Sequence, residues 1–338
     1  MNKIVKKYGI KSAVAAVAAL ALLTSLAPAS NAIVNPDRPV VVGEASYTAS
    51  IQEWDPDLSG DGYATQCTGS LIAADLVVTA AHCVSGDIAV ASWRVAVGGS
   101  NLSGKNMQII KVKAIVYHKK YDQVQGYDLI NGATGAVISH HASVLGAGDS
   151  ANAFDIALLL LASPVVGVKP VAVAPGGYKP TADGWRIYGW GTDDTGLLSS
   201  TLLTTPQSDY TKVAADNLSD HLNRNYAVGG YAENGASRGS CFGDSGGPLV
   251  DGNGVLIGLT SFSTSDDCEK QAWTVYTKLA SYEGWLKTAS YVLHHAIYQK
   301  LDSNTAKSSD GVKVPYAAEL AWNYEDYNKF TAIPVYLV

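Results

Sequence analysis

The chain has no Cys-x-x-Cys pair, no excess of positive charge and no run of twenty apolar residues. Without closely paired cysteines the usual zinc-ligand spacing is missing. With 24 Lys and Arg against 30 Asp and Glu, the formal charge of -6 gives a nucleic acid backbone nothing to hold. The most apolar stretch, Ala13 to Ala27, is 15 residues long, short of the roughly 20 that cross a bilayer.

That stretch follows Lys3, Lys6, Lys7 and Lys11 and leads to Ser30-Asn31-Ala32, a small-x-small cleavage pattern. Residues 1–32 therefore read as a secretory signal peptide. The remainder is expected outside the cytoplasm, extracellular or periplasmic, and free of the membrane. Removal of the four lysines takes the basic count from 24 to 20 against 30 acids, a formal charge of -10. Four cysteines in an exported chain suggest two disulfides, for which three connectivities exist.

From Val41 to about Ala280, short β-branched runs alternate with Gly, Asn and Asp. The runs are Ser70–Thr79, Trp93–Val97, Ile109–Tyr117, Ile156–Leu161, Gly184–Tyr188, Leu249–Leu259 and Ala272–Thr277. Many short strands separated by turn signals predict an all-β barrel or sandwich. After Tyr282 the period changes. Trp285, Leu286, Ala289, Val292, Leu293, Ala296, Ile297 and Leu301 share one face at helical spacing, which predicts a terminal helix packed on the second barrel of the β domain. Asp55-Pro56-Asp57-Leu58-Ser59-Gly60-Asp61-Gly62 alternates oxygen ligands as a calcium loop does. Gln66 stands where the closing glutamate belongs, so a solvated acidic hairpin is the better reading.

Three strings carry chemistry. Gly243-Asp244-Ser245-Gly246-Gly247-Pro248 sets one hydroxyl among glycines, Thr79-Ala80-Ala81-His82-Cys83 supplies an imidazole, and Phe154-Asp155-Ile156-Ala157-Leu158-Leu159 supplies a carboxylate ahead of an apolar strand. Serine is a weak nucleophile until a base takes its proton and a third group orients that base. A Gly-x-Ser-x-Gly string also forms the nucleophile elbow of α/β-hydrolases, whose chain order would require His294 or His295 as base. The short run Ser240-Cys241-Phe242 and the early Pro248 fit that elbow poorly.

In the order His, Asp, Ser, these strings resemble the chymotrypsin-like (trypsin-fold) serine peptidases, the family of the Ser-His-Asp template. The resemblance implies two six-stranded Greek-key β-barrels with the cleft between them, His82 and Asp155 on the first and Ser245 on the second. It divides the chain into a signal peptide (1–32), a peptidase domain (33–285) and a C-terminal helix with an extension of no assigned role (286–338). It also implies disulfides Cys67 with Cys83 and Cys241 with Cys268, and an oxyanion hole made by the amides of Gly243 and Ser245. The expected partners are polypeptide substrates, and triad chemistry implies that no metal or organic cofactor is required.

Trypsin-like members carry an aspartate six residues before the nucleophile, where this chain has Gly239 followed by Ser240. Two pocket-wall positions usually held by glycine match Ser263, two after Ser261, and Thr274. Side chains there imply a pocket for a small apolar residue, as in elastase-like members. His82 and Asp155 stand farther apart than usual, with the excess in Gly126 to Ala151, which reads equally as a cleft rim or a tolerated insertion. Asp128 competes for the acid role by spacing, but only Asp155 heads an apolar strand.

Asp244 is expected to be a buried carboxylate, and family members supply its counter-charge as a new α-amino group at an Ile-Val-Gly-Gly start. The matching string is Val41-Val42-Gly43-Glu44, behind Arg38-Pro39, which resists tryptic cleavage. Signal-peptide removal would instead expose Ile33-Val34. A catalytically silent, partner-binding relative is the alternative, though such proteins tend to lose a triad residue and this chain keeps all three.

Overall fold

The structure is a computed structural model that describes residues 33–85, 90–118, 121, 127–130, 137–141, 154–192, 198–211, 224–231, 235, 237–263, 268, 273–295, 299–302, 305–307, 313–315, 319–322 and 330–337. The expected signal peptide lies outside the described residues, as does most of the Gly126–Ala151 segment. In the strands at 127–141 and 299–337 only the backbone is described.

Two short strands, β1 (Ile33–Val34) and β2 (Arg38–Pro39), precede the first barrel. That barrel uses β3 (Thr48–Trp54), β4 (Tyr63–Ala73), β5 (Leu76–Thr79), β6 (Trp93–Val97) and β7 (Gln108–Tyr117). A hairpin of β8 (Tyr127–Ile130) and β9 (Val137–His141) follows before β10 (Ala157–Leu161) completes it. The strand order β10-β5-β4-β3-β6-β7 closes on itself because β7 also pairs with β10.

The second barrel comprises β11 (Trp185–Gly189), β12 (Leu203–Asp209), β13 (Asn225–Tyr231), β15 (Pro248–Val250), β16 (Leu256–Ser263) and β17 (Thr274–Lys278). The strand β14 (Ser237–Ser240) extends β13 at its edge and carries β1. Pairing of β12 with β13 closes this ring as well. Both barrels share one connectivity: three consecutive strands, a fourth that returns beside the first, and a sixth that closes on the third. The expected all-β architecture of two six-stranded Greek-key barrels is therefore present.

Closing a sheet turns one face of every strand inward, so alternate residues fill the lumen. In β10 all five residues are buried because Leu159 and Leu161 fill the first barrel while Leu158 and Leu160 face outward into a second cluster. That outer cluster includes Trp190, Leu202 and Leu259 from the second barrel and binds the two barrels together. The lumen of the second barrel holds Trp185, Ile187, Leu203, Val228, Leu249, Ile257 and Tyr276, joined by Ile33 from β1.

Several sequence expectations need correction. The single run Ser70–Thr79 is two strands joined at Ala74-Asp75, and Leu249–Leu259 is likewise β15 and β16. Strands β3, β12 and β13 were not anticipated. The terminal helix α1 (Glu283–His295) stops short of Leu301, which lies in β18 (Gln299–Asp302). Its apolar face, Trp285, Leu286, Ala289, Val292 and Leu293, is buried as expected. It packs on the first barrel, against β7 and β10, and not on the second as expected. His294 ties it there by bonding Asp75 at 3.1 Å. The tail continues in β19 (Thr305–Lys307), β20 (Lys313–Pro315), β21 (Glu319–Trp322) and β22 (Phe330–Leu337), and β22 pairs with β7.

The Asp55–Gly62 segment is the β3–β4 hairpin turn, largely exposed, in which Asp61 pairs with Arg94 at 2.6 Å.

Candidate active site

Antiparallel register places the imidazole and its carboxylate together. Ala157 of β10 pairs with Thr79 of β5, so the residues just before β10 and just after β5 meet at one rim of the first barrel. His82 sits in the short 3-10 turn Ala81–Cys83 that follows β5, and the Cys67–Cys83 disulfide ties this turn to β4. Asp155 stands two residues before β10 and is completely buried.

The Asp155 carboxylate is saturated with donors. Its Oδ2 lies 2.8 Å from His82 Nδ1 and accepts from Ser261 Oγ at 2.6 Å, while its Oδ1 accepts from the His82 backbone N–H at 2.9 Å. The Thr277 hydroxyl donates to the Asp155 carbonyl at 2.9 Å, so both barrels hold this residue. Burial works against ionisation of Asp155, but the His82 charge and the hydrogen bonds from His82 and Ser261 outweigh it and hold the carboxyl below its ordinary range. Burial likewise opposes the charged form of His82, yet the Asp155 charge and hydrogen bond raise the imidazole above its ordinary value. The His82 side chain keeps 29% of its surface exposed, and its Nε2 carries no hydrogen bond among the described residues.

Ser245 comes from the other barrel, on the loop between β14 and β15. Its carbonyl accepts from Thr68 N at 2.8 Å, and the next amide, Gly246, donates to Thr260 O at 2.7 Å. The loop is thus pinned to β4 on one side and β16 on the other. Gly246 is required here: its φ is +74°, and an added Cβ would run into the Thr79 hydroxyl and the Thr68 carbonyl. Gly243 has φ +88° and would strike the Gly191 backbone if it bore a side chain.

Amide directions in this loop divide into two sets. Asp244, Gly246 and Gly247 donate inward, to Cys241, Thr260 and Asp244 respectively. The N–H groups of Gly243 and Ser245 have no acceptor among the described residues. Two unsatisfied donors beside one hydroxyl suit a developing oxyanion.

His82, Gly243 and Ser245 line one cleft of about 670 Å³ between the barrels. One wall is second-barrel: Ser240, Thr260, Ser261, Phe262, Ser263 and the Cys241–Cys268 disulfide. Of the anticipated pocket residues, Ser240, Ser261 and Ser263 line this wall. Thr274 is opposite Ser263 in register but is buried and not part of the cleft lining, and it accepts from Ser240 Oγ at 3.3 Å. Gly239 is paired with Val34 and does not face the cleft. Sequence reasoning missed Phe242 and Phe262 on this side and Glu53, Gln66, Ser85 and Trp93 on the first-barrel wall. Asp128 lies on β8, whose side chains are not described. His294 bonds Asp75 and the Ser290 carbonyl on α1, committed away from Ser245.

Asp244 is 2% exposed. Its Oδ2 accepts from Cys241 N at 2.8 Å and its Oδ1 from Gly191 N at 2.9 Å. Burial pushes its pKa well above the ordinary carboxylate range, more than these two hydrogen bonds lower it.

Comparison with known proteins agrees with this geometry. The Trypsin family profile matches residues 39–286. The chain belongs to the trypsin family of serine peptidases. Chymotrypsin-like elastase family member 1 of Rattus norvegicus is 31% identical over 242 residues, covering 68% of this chain and 80% of the relative. The Homo sapiens counterpart is 32% identical over 243 residues, covering 67% and 81%. Among solved structures, neuropsin, a serine protease expressed in the limbic system of mouse brain, superposes with a TM-score of 0.53 at 26% identity. It covers 75% of this chain and 98% of the neuropsin chain. As a member of this family the protein is a serine endopeptidase.

Proposed function

We propose that Ser245, His82 and Asp155 form the catalytic triad of a secreted endopeptidase that cleaves after small apolar residues. The observation that carries this reading is the convergence of a doubly anchored His82–Asp155 pair, the Ser245 hydroxyl and two unsatisfied amides on one cleft. In the proposed reaction Ser245 Oγ attacks the peptide carbonyl carbon as His82 Nε2 takes the hydroxyl proton. The oxyanion settles on the amides of Gly243 and Ser245. His82⁺ then gives its proton to the departing amine as the C–N bond breaks, leaving an acyl-enzyme. Water, deprotonated by the same imidazole, releases the acid and restores Ser245. Asp155 fixes the tautomer and stabilises the imidazolium, and Ser261 acts through Asp155 as a positioning residue. A serine-directed fluorophosphonate should label wild type at Ser245 alone, and labelling elsewhere or not at all would refute the assignment.

The base works only when neutral, so kcat/KM should rise with pH as His82 loses its proton. Because Asp155 raises the imidazole, the midpoint should lie above the ordinary value of about 6.5. A pH–rate profile on a small ester or peptide substrate checks this. A rise centred below that value would contradict the pairing.

In the pocket, Ser263 narrows the wall, and no carboxylate lines its second-barrel side among the described residues. Peptides with Ala, Val or Thr on the acyl side should be cleaved more than about tenfold faster than those with Arg or Lys. A desolvated cation without a partner costs more than the missing methylenes contribute. Matched chromogenic peptides measure the ratio, and efficient Arg cleavage would overturn the pocket reading.

We further assign residues 1–32 to export and 33–285 to the peptidase domain, with 286–338 as its helix and extension. Cleavage after Ala32 would begin the mature chain at Ile33.

A further inference from the structure

The first-barrel wall of the cleft carries a charge that the proposed reaction does not use. Among the described residues that line it, His82 and Glu53 are the ionisable ones. Glu53 lies near the C-terminal end of β3, opposite Ala64 of β4 and Trp93 of β6. It is half-buried, and its side chain makes no hydrogen bond or ion pair among the described residues. The nearby cation, Arg94, is already committed: its Nε donates to Gln52 Oε1 at 2.7 Å, its Nη2 pairs with Asp61 at 2.6 Å, and it stacks over Tyr63 at 3.9 Å. Burial and the charge of Asp55 both push the Glu53 carboxyl above its ordinary range. A partly desolvated anion beside a second anion, facing an open cleft, favours an incoming cation.

Its place in the cleft indicates which part of a substrate brings that cation. The acyl half occupies the second-barrel wall, and the departing amine must stand at His82 to receive its proton. Beyond that amine the chain runs over the wall adjoining His82, which is built from the Cys67–Cys83 disulfide, Gln66, Ser85, Trp93 and Glu53. We propose that Glu53 is a specificity residue for the leaving-group half of the substrate, taking a lysine or arginine side chain within the first three residues after the cleaved bond. This rests on the endopeptidase reading above and adds a second determinant at the opposite end of the cleft.

The test uses internally quenched peptides with Ala before the cleaved bond and Lys, Gln or Glu in turn at each of the three following positions. Rate ratios within one enzyme preparation do not depend on how much of it is folded. In wild type, kcat/KM for the best Lys peptide should exceed that of its Gln counterpart about tenfold, with the Glu peptide slowest, and the preference should fade at molar salt. In Glu53→Gln the Lys-to-Gln ratio should fall to near one, and in Glu53→Lys the Glu peptide should become the better substrate. A ratio near one in wild type, or one retained in Glu53→Gln, overturns the Glu53 proposal alone. Failure of wild type to cleave any member of the series overturns the endopeptidase reading and this proposal together.

Discussion

Ser245→Ala should abolish peptide hydrolysis and leave the molecule folded. The hydroxyl makes no hydrogen bond among the described residues, and its loss opens no apolar cavity. The loop that carries it is held by backbone bonds from Thr68 and to Thr260, which the substitution does not touch. Removal of a triad nucleophile costs on the order of a million-fold in turnover in another serine peptidase, about 8 kcal/mol of barrier. Some acceleration over water should survive, since the amides of Gly243 and Ser245, the proposed oxyanion donors, are untouched by the substitution. Turnover and thermal melting measured on the same preparation separate the two effects. Unchanged turnover would end the triad assignment, and a large drop in Tm would show that Ser245 has a structural role not visible in its contacts.

Much of the site was legible because its chemistry is packed into short strings. A serine between glycines at a strained loop, a histidine beside a cysteine and an aspartate ahead of a five-residue apolar strand each carry a local signature. The strands that escaped notice have local reasons. In β12 the run Leu203-Thr204-Thr205-Pro206-Gln207 looks like a loop, yet Thr204 is buried with its hydroxyl donating to the Ile187 carbonyl. In β13 Gly229-Gly230 signals a turn, whereas Gly230 is small because a Cβ there would lie 2.8 Å from the Pro206 carbonyl. The turn at Ala74-Asp75 has neither glycine nor proline, so β4 and β5 read as one strand. Amphipathicity revealed the buried face of α1 but not its partner, because period alone does not say which barrel receives it. Glu53 has no local signature: only the pairing of β3 with β6 brings it to the cleft.

The active enzyme should begin at Ile33 rather than Val41, with its α-amino group beside Asp244. Among the described residues no cation reaches the Asp244 carboxylate, and the Cβ positions of Gly189 and Gly191 are taken up by it, so it has little room to turn away. A carboxyl whose folded pKa is raised destabilises the fold across neutral pH, and an adjacent amine removes that cost. Ile33 is fully buried and pairs with Ser240, one residue before the Cys241 amide that donates to Asp244, while Val34 pairs with Gly239. Val41 is 63% exposed, and its N–H donates to Glu44 Oε2 at 3.2 Å, which in turn pairs with Arg38 at 2.7 Å. Moving Val41 inward would break that pair and strip β2 from β12. Breaking a buried ion pair by removing one partner costs about 3 kcal/mol or more, so an N-terminally acetylated chain starting at Ile33, and Asp244→Asn, should each lose roughly a hundredfold or more in kcat/KM. N-terminal sequencing of the active form, with kinetics of the acetylated chain, decides the matter: a start at Val41, or full activity with the amine blocked, would rule out the Ile33–Asp244 pairing.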